Sequence, residues 1–295
     1  MFEIRTAKKS DTQRQKEIWK ACFGDSNEYI DFYFANRYRE NETLLLLWNG
    51  NITSMLTMIP VRVITSDGRS LPSAMLYAIA THPKYQGRGL ATRIMDFSDR
   101  YLMDNNNRLS LLVPASDRLF DFYGRRGYIN GFFIKEVTIT DDAFKDIRED
   151  AAFRSFITPA SPKGYNRRRD ERQNGGLYVA YGDGEIAYQK KLSKRTGADI
   201  YTIEIDGTCG CAAAERINAG RVLIKELLMP ESFVYRSVAL IAKLLPAKEY
   251  IVRLPANQSQ SLCGEIRPFG MIKPYGQSGD EMLHDEAGYL GIAYD

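Results

Sequence analysis

A glycine-bearing loop between a predicted strand and a predicted helix constrains the fold of this chain more than any other feature. Residues 73–81 have the apolar character of a strand, residues 86–89 are Gln-Gly-Arg-Gly, and residues 90–103 carry apolar side chains at helical spacing. Unpaired N–H groups and the positive end of the helix dipole meet at such a helix start and favour phosphate. Gly87 and Gly89 favour it further, because side chains there would keep phosphate away from the backbone.

Two common phosphate-binding loops do not fit the same residues. The Walker loop requires Gly-Lys followed by Ser or Thr, and this order is absent from the loop. The Rossmann fingerprint requires a third glycine where this chain has Thr92, and it lies in a unit of parallel strands. The strands before residue 82 are predicted to be antiparallel hairpins, so the loop belongs to another kind of fold.

The elements predicted for the first half alternate between groups of helices and strands. Asn49-Gly50 and Asp67-Gly68 have the composition of hairpin turns. Helices are predicted over residues 11–23, 27–39, 90–103 and 117–126, and strands over residues 43–48, 52–64, 73–81, 109–113 and 129–139. This order predicts an α/β (α+β) fold in which a mixed, mostly antiparallel central sheet is flanked by helices.

The second half repeats this order without the glycine loop. The polar and basic residues 141–176 predict a helical connector between two domains, residues 1–140 and 177–295. Beyond the connector, strands are predicted over residues 177–181, 186–191, 199–205, 209–216, 222–228 and 250–254, and a helix over residues 233–245. The order indicates a second, degenerate copy of the fold. Its counterpart of the glycine loop has no glycine and contains Glu231, so phosphate binding is expected only in the first copy.

Composition and charge exclude several other classes of protein. Lys and Arg number 40 against 37 Asp and Glu, a net charge of +3, so no nucleic-acid partner is expected. No apolar stretch has the length of a membrane span or signal peptide, which predicts a cytoplasmic protein without membrane contact. Four cysteines and two histidines with no convergent spacing predict neither a disulfide framework nor a metal site.

Two motifs resemble those of the GNAT superfamily of N-acetyltransferases, and the resemblance covers residues 1–140. Gln86, Gly89 and Ala91 match its first motif, which is Gln or Arg, two residues, Gly, one residue, and Gly or Ala. Downstream, residues 119–128 are Leu-Phe-Asp-Phe-Tyr-Gly-Arg-Arg-Gly-Tyr. They resemble the family's next signature, a Phe-Tyr pair followed by a glycine and an aromatic residue.

The resemblance implies an N-acetyltransferase with acetyl-CoA as cosubstrate and a primary amine of a small molecule as acceptor. It places the pantetheine arm along the strand end and the pyrophosphate on the loop and first helical turn. The implied cofactor-binding residues are Ile79, Ala80, Thr81, Gln86, Gly87, Arg88, Gly89, Leu90, Ala91 and Thr92. Tyr123 matches a tyrosine that faces the departing sulfur in many members, and a strand N–H, at Thr81, is expected to bind the carbonyl oxygen.

The paired arrangement resembles the Eis-type acetyltransferases, without room for their third, sterol-carrier-like domain. Eis-type enzymes use the carboxylate of their own chain end as a base, so the resemblance implies a catalytic Asp295, held in place by the apolar residues 289–294. The sequence leaves two alternatives open. One is an aminoacyl-tRNA-dependent transferase of the peptidoglycan type, also built from paired folds, and the other is a non-catalytic CoA-binding sensor.

Overall fold

The computed structural model describes residues 1–144, 154–258, 261–276 and 287–294. The helices in these ranges are α1 (Thr12–Phe23), α2 (Asn27–Asn36), α3 (Leu90–Asp104), α4 (Asp117–Gly124), α5 (Pro162–Gln173), α6 (Asp183–Arg195) and α7 (Val234–Leu244). The strands are β1 (Phe2–Thr6), β2 (Thr43–Trp48), β3 (Asn51–Ile64), β4 (Ser70–Thr81), β5 (Leu109–Leu112), β6 (Ile129–Thr140), β7 (Ser155–Pro159), β8 (Tyr178–Ala180), β9 (Ile200–Ile205), β10 (Thr208–Asn218), β11 (Arg221–Leu228), β12 (Glu249–Pro255) and β13 (Glu265–Pro274). None of these helices is both long enough and apolar enough to cross a bilayer.

All of these strands belong to one sheet, and its order shows how the two halves are joined. The main path is β1-β2-β3-β4-β5-β13-β6-β12-β11-β10-β9-β7, and β8 pairs with β3 beside it. β13 belongs to the second half of the chain but lies between β5 and β6 of the first half. β6 in turn lies between β13 and β12. Each half therefore contributes one strand to the other.

The two sides of the sheet repeat one another about the β13–β6 pair. On one side, the antiparallel strands β2, β3 and β4 are followed by a parallel pair of β4 with β5. On the other side, the antiparallel strands β9, β10 and β11 are followed by a parallel pair of β11 with β12. This arrangement confirms the predicted fold class, a mostly antiparallel mixed sheet with a second unit of the same kind.

Alternation of side chains along β2 explains how helices cover both faces of the first half. Leu45 and Leu47 pack in the same core as Trp19 of α1 and Tyr33 of α2. Leu44 and Leu46 point to the other face and pack in the core that contains Ile94 of α3. Because successive strand residues face opposite sides of a sheet, an apolar run of this length predicts a strand buried on both faces.

Four elements differ from the sequence prediction, and one of them is β13, which the prediction does not include. Residues 186–191, predicted as a strand, lie within helix α6, whose buried residues Ile186, Gln189 and Ser193 recur at helical spacing over a longer stretch than the predicted one. The predicted helical connector contains α5 but also β7, which pairs with β9 at one edge of the sheet. β1, which pairs with β2 at the opposite edge, is absent from the prediction. The boundaries at residues 140 and 177 stay a prediction.

Residues 288–294 form a buried segment that bridges to β6 of the first half and to β8 of the second. Gly288 bridges to Phe132 of β6, and Tyr289 bridges to Tyr178 of β8. The guanidinium of Arg169, which is fully buried and paired with Glu226, donates to the Leu290 carbonyl over 2.8 Å. Residues 289–294 are therefore held in one path through the core.

Candidate active site

A cleft opens in the sheet where β4 and β5 separate. The two strands pair only from Ser73 to Met75 on β4, opposite Leu109 to Leu111 on β5. Beyond this point, residues 76–79 of β4 and residues 112–115 at and after the end of β5 line one cavity. The cavity has a volume of about 700 Å³, which suits a small molecule.

A β-bulge at Ala78 bends β4 at the edge of this cleft. The register of β4 against β3 shifts there, so that Ala78 and Ile79 together lie opposite one residue, Leu56. Ala78 has a φ of +50°, which is uncommon for a residue with a side chain. Bulges of this kind turn backbone groups out of the regular ladder, and here they do so beside the cavity.

The backbone groups near the end of β4 point alternately toward β3 and toward the cleft. The N–H of His82 donates to Thr53 O on β3, so the N–H and C=O of Thr81 point away from β3. The N–H and C=O of Ala80, which lies opposite Met55, point toward β3. The Thr81 carbonyl accepts bonds from the Gln86 amide over 2.9 Å and from the Cys22 thiol over 3.2 Å. The Thr81 N–H thus points away from β3, and its role as an oxyanion contact stays a prediction.

The loop at Gly87 and Gly89 leaves the start of α3 open. Gly87 and Gly89 have φ angles of +72° and +74°, and a Cβ atom added to either would meet nothing within 4 Å. No side chain caps α3, and its first turn contains no acidic residue. The N–H groups of the first turn are therefore available to an anion, in a backbone conformation that glycine adopts without strain.

Two arginines lie beside this helix start. Arg88 in the loop is exposed, with its guanidinium carbon 4.9 Å from the centroid of the Trp48 ring. Arg126 follows α4 and reaches the first turn of α3, where Nη1 donates to Thr92 Oγ1 over 2.9 Å and Nη2 to Thr92 O over 3.0 Å. Arg126 therefore fixes the loop relative to α4. Sequence reasoning missed this role, although Arg126 lies within the motif at residues 119–128.

Tyr123 on α4 lines the same cavity as the bulged part of β4. Its side chain is buried, 7 % exposed, between Phe122 and Tyr128. Burial raises the pKa of the Tyr123 hydroxyl to about 12, partly offset by the positive charge of Arg126. The Tyr123 hydroxyl forms no hydrogen bond with any residue that the structure describes, so it is a protonated donor that can reach a ligand in the cavity.

The remaining walls of the cavity come from the α1–α2 corner and from the second half. Asp25, in the corner, is the one carboxylate among the described lining residues, and it accepts a hydrogen bond from Trp19 Nε1 over 2.7 Å. Arg253 of β12 and Arg267 of β13 supply positive charge on another wall. None of these three was predicted to lie at the site. An arginine inside the otherwise apolar residues 250–254 is the sequence signal for Arg253, whereas Arg267 lies on β13, which the sequence did not predict.

The segment before Asp295 reaches this cavity, whereas Asp295 itself lies outside the described residues. Tyr294 lines the cavity, and its carbonyl accepts a bond from the Tyr77 hydroxyl over 3.3 Å. The hydroxyl of Tyr181 donates to the Ile292 carbonyl and holds the segment two residues earlier. The predicted tethering of residues 289–294 agrees with these contacts, and the catalytic role of Asp295 stays a prediction.

In the second half, the position equivalent to the glycine loop is occupied by protein. Glu231, between β11 and α7, accepts bonds at one carboxylate oxygen from the N–H groups of Ser261 and Leu262, each over 2.7 Å. A carboxylate before the helix repels a phosphate at this position. Among the described residues, no group of three or more His, Cys, Asp or Glu side chains has the geometry of a metal site.

Comparison with known proteins bears on the first half and on the fold as a whole. Residues 3–130 match a family model described as an acetyltransferase (GNAT) domain. This match includes the loop at the start of α3 and the α4 segment that carries Tyr123. No curated protein matches the chain.

Solved structures similar in fold cover nearly the whole chain at low sequence identity. A GCN5-related N-acetyltransferase from Anabaena variabilis ATCC 29413 gives a TM-score of 0.72 at 15% identity, with 92% of this chain and 72% of that chain covered. A conserved protein of unknown function from Enterococcus faecalis V583, described as a probable N-acyltransferase, gives a TM-score of 0.69 at 17% identity. The match covers 93% of this chain and 73% of that chain. Eis1 from Mycobacterium abscessus gives a TM-score of 0.67 at 14% identity, with 92% of this chain and 73% of that chain covered. Residues 3–130 are therefore similar to an acetyltransferase domain of the GNAT type, within a chain that resembles Eis1 in its overall fold.

Proposed function

We propose that this protein is an acetyl-CoA-dependent N-acetyltransferase that acts on a primary amine of a small molecule. The observation that carries the proposal is an open, uncapped helix start directly beside the cleft between β4 and β5. The same cleft continues into a cavity that Tyr123 lines. A phosphate site, an exposed strand edge and a buried hydroxyl donor thus lie along one path.

The residues present fit the parts of acetyl-CoA. The N–H groups from Gly87 to Thr92 suit a pyrophosphate, and Arg88 adds positive charge. The edge of β4 at Ile79 and Thr81 suits the amide groups of pantetheine, which pair with a strand edge as a peptide does. Gln86 holds the loop to β4 through the Thr81 carbonyl. Gly87 and Gly89 leave the space above the loop empty of side chains.

The acceptor amine must lose a proton before it can attack a carbonyl carbon. An alkyl ammonium has a pKa near 10.4, so its deprotonation at pH 7 costs about 4–5 kcal/mol. We propose that Asp25, whose carboxylate is fixed by Trp19 Nε1, binds the ammonium in the cavity. Its proton then passes to the carboxylate of Asp295, the base that the sequence predicts, before the neutral amine attacks. When bound, acetyl-CoA supplies a thioester carbonyl and a thiolate leaving group.

Tyr123 is proposed to stabilise the departing thiolate by donating a hydrogen bond. Its pKa of about 12 lies roughly 3.5 units above that of a thiol, so full proton transfer is uphill by about 5 kcal/mol. Hydrogen bonding requires no such transfer. The N–H of Thr81 is proposed to bind the carbonyl oxygen as negative charge develops on it.

The decisive experiment measures thiol release from acetyl-CoA by the purified full chain with a panel of small primary amines. Release that depends on the amine, with the acetylated amine identified by mass spectrometry, is the expected result. CoA binding without release for any amine would indicate the non-catalytic sensor. Failure to bind CoA, with activity on aminoacyl-tRNA instead, would indicate the peptidoglycan-type transferase.

A further inference from the structure

The Arg126 side chain joins the first half of α3 to the residues that follow α4. Its Nη1 donates to Thr92 Oγ1 over 2.9 Å, and its Nη2 donates to Thr92 O over 3.0 Å and to Asp96 Oδ1 over 2.7 Å. The guanidinium carbon also lies 5.5 Å from the centroid of the Phe122 ring on α4. Only 12% of the Arg126 side chain is exposed, so these contacts fix it between the two helices.

The contact with Arg126 determines how the Thr92 hydroxyl can donate. A guanidinium group has donors only, so Thr92 Oγ1 accepts from Arg126 and its own hydrogen is left for another acceptor. Thr92 Oγ1 donates to none of the residues that the structure describes. Thr92 is the third residue of α3, and the Cβ atoms of a helix tilt toward its N-terminus. The Thr92 hydroxyl is therefore a donor beside the open N–H groups of the helix start.

The backbone around Arg126 fixes Tyr123. The N–H groups of Arg126 and Tyr128 both donate to the Tyr123 carbonyl, over 2.9 and 3.2 Å. Gly127, between them, has a φ of +85°, a conformation in which glycine commonly ends a helix. Burial raises the pKa of the Tyr123 hydroxyl, and the positive charge of Arg126 opposes this rise. One residue thus contacts the helix start through its side chain and Tyr123 through its backbone.

We propose that Arg126 is a positioning residue that acts on both ends of the donor site. Its bond to Thr92 directs a hydroxyl donor at the pyrophosphate of CoA, and its link from α4 to α3 holds Tyr123 at the departing sulfur. This inference rests on the proposed function and adds a residue to it. It also predicts a preference among donors, because a thioester without a pyrophosphate makes no contact with Thr92.

Calorimetry with CoA and with pantetheine, which lacks the pyrophosphate, tests the contact with Thr92. Thr92→Val should weaken CoA binding by about tenfold and leave pantetheine binding unchanged. Arg126→Met should have the same selective effect, and the double variant should bind CoA about as well as Thr92→Val alone, because both changes remove one oriented donor. Arg125→Met is the matched control at the exposed neighbouring arginine, and it should leave both affinities unchanged.

Turnover with saturating acetyl-CoA tests the hold on Tyr123. Arg126→Met should lower kcat by about tenfold, and the double variant with Tyr123→Phe should be no slower than Tyr123→Phe alone. A role in stability alone would leave kcat per folded molecule unchanged. Arg126→Lys keeps a positive charge and a donor for Thr92 but not the planar fork, so it should recover part of the loss.

The binding and kinetic measurements separate this inference from the proposed function. Additive losses from the Arg126 and Thr92 variants, an equal loss of CoA and pantetheine affinity, or an unchanged kcat in a folded Arg126→Met variant would overturn the inference. The binding measurement needs no acceptor amine. If no amine is acetylated but Arg126 and Thr92 act together on CoA binding, the positioning of Thr92 stands and the proposed acetyl transfer fails.

Discussion

Tyr123 combines a buried ring with a hydroxyl that has no partner among the residues the structure describes, so its removal should affect chemistry more than stability. Tyr123→Phe is expected to lower turnover by about 100-fold or more, because the hydroxyl acts on charge that appears only as the thiolate leaves. The dissociation constant for acetyl-CoA should change little. Steady-state kinetics and calorimetry measure the two effects, and Tyr101→Phe, on α3 outside the cavity lining, is the matched control.

The raised pKa of Tyr123 also fixes the expected pH dependence. At about 12, this pKa keeps the hydroxyl protonated throughout the range in which the acceptor amine loses its proton. The rate of the native chain should therefore rise with pH as the amine deprotonates, with no decline from Tyr123 below about pH 12. Unchanged turnover in Tyr123→Phe would mean that the residue only packs in the core.

At the scale of single elements, the loop before α3 can be tested against a second glycine in the same conformation. Gly89→Glu places a negative charge at the helix start and should abolish CoA binding, with a stability cost from the positive φ of about 1–2 kcal/mol. Gly68→Glu is the control, since Gly68 has a φ of +82° and is equally open but lies in the β3–β4 turn.

Calorimetry gives both affinity and stoichiometry in this comparison. Gly68→Glu should lose similar stability, keep its affinity and bind one CoA per chain, because Glu231 holds the equivalent position in the second half. A folded Gly89→Glu variant that binds CoA normally would show that the loop is only structural. Two CoA molecules per native chain would contradict the assignment of the second half.

The elements that the sequence predicts well are those whose signals are local. The strand, loop and helix around Gln86 to Thr92 follow from adjacent residues, and so does the helix that carries Tyr123. The site residues that the sequence did not predict depend on contacts between strands that are distant along the chain. Arg267 reaches the cavity only because β13 is inserted beside β5, and residue spacing within either half contains no information about that insertion. Helix α6 differs from the prediction because residues 186–191 span less than two helical turns, too few to show the period of the whole helix.

At the scale of the whole molecule, the exchange of β6 and β13 predicts that the halves cannot fold separately. A fragment of residues 1–144 lacks β13, so β5 and β6 lose their common partner and the buried contacts of Met271 and Ile272. We expect this fragment to be insoluble when expressed alone and soluble when residues 145–295 are coexpressed with it. Solubility and size-exclusion chromatography measure this, and a folded, CoA-binding monomer of residues 1–144 would contradict it.

The insertion of β13 also sets an order of events during synthesis on the ribosome. The residues of the donor site, from Ile79 to Tyr123, emerge early, yet the strand that closes the sheet beside β5 is translated much later. At about 5–20 residues per second, on the order of ten seconds pass between the synthesis of Thr140 and that of Glu265. During this interval β5 and β6 expose unpaired edges, which makes the nascent chain dependent on chaperones although the residues of its cofactor loop are already synthesised.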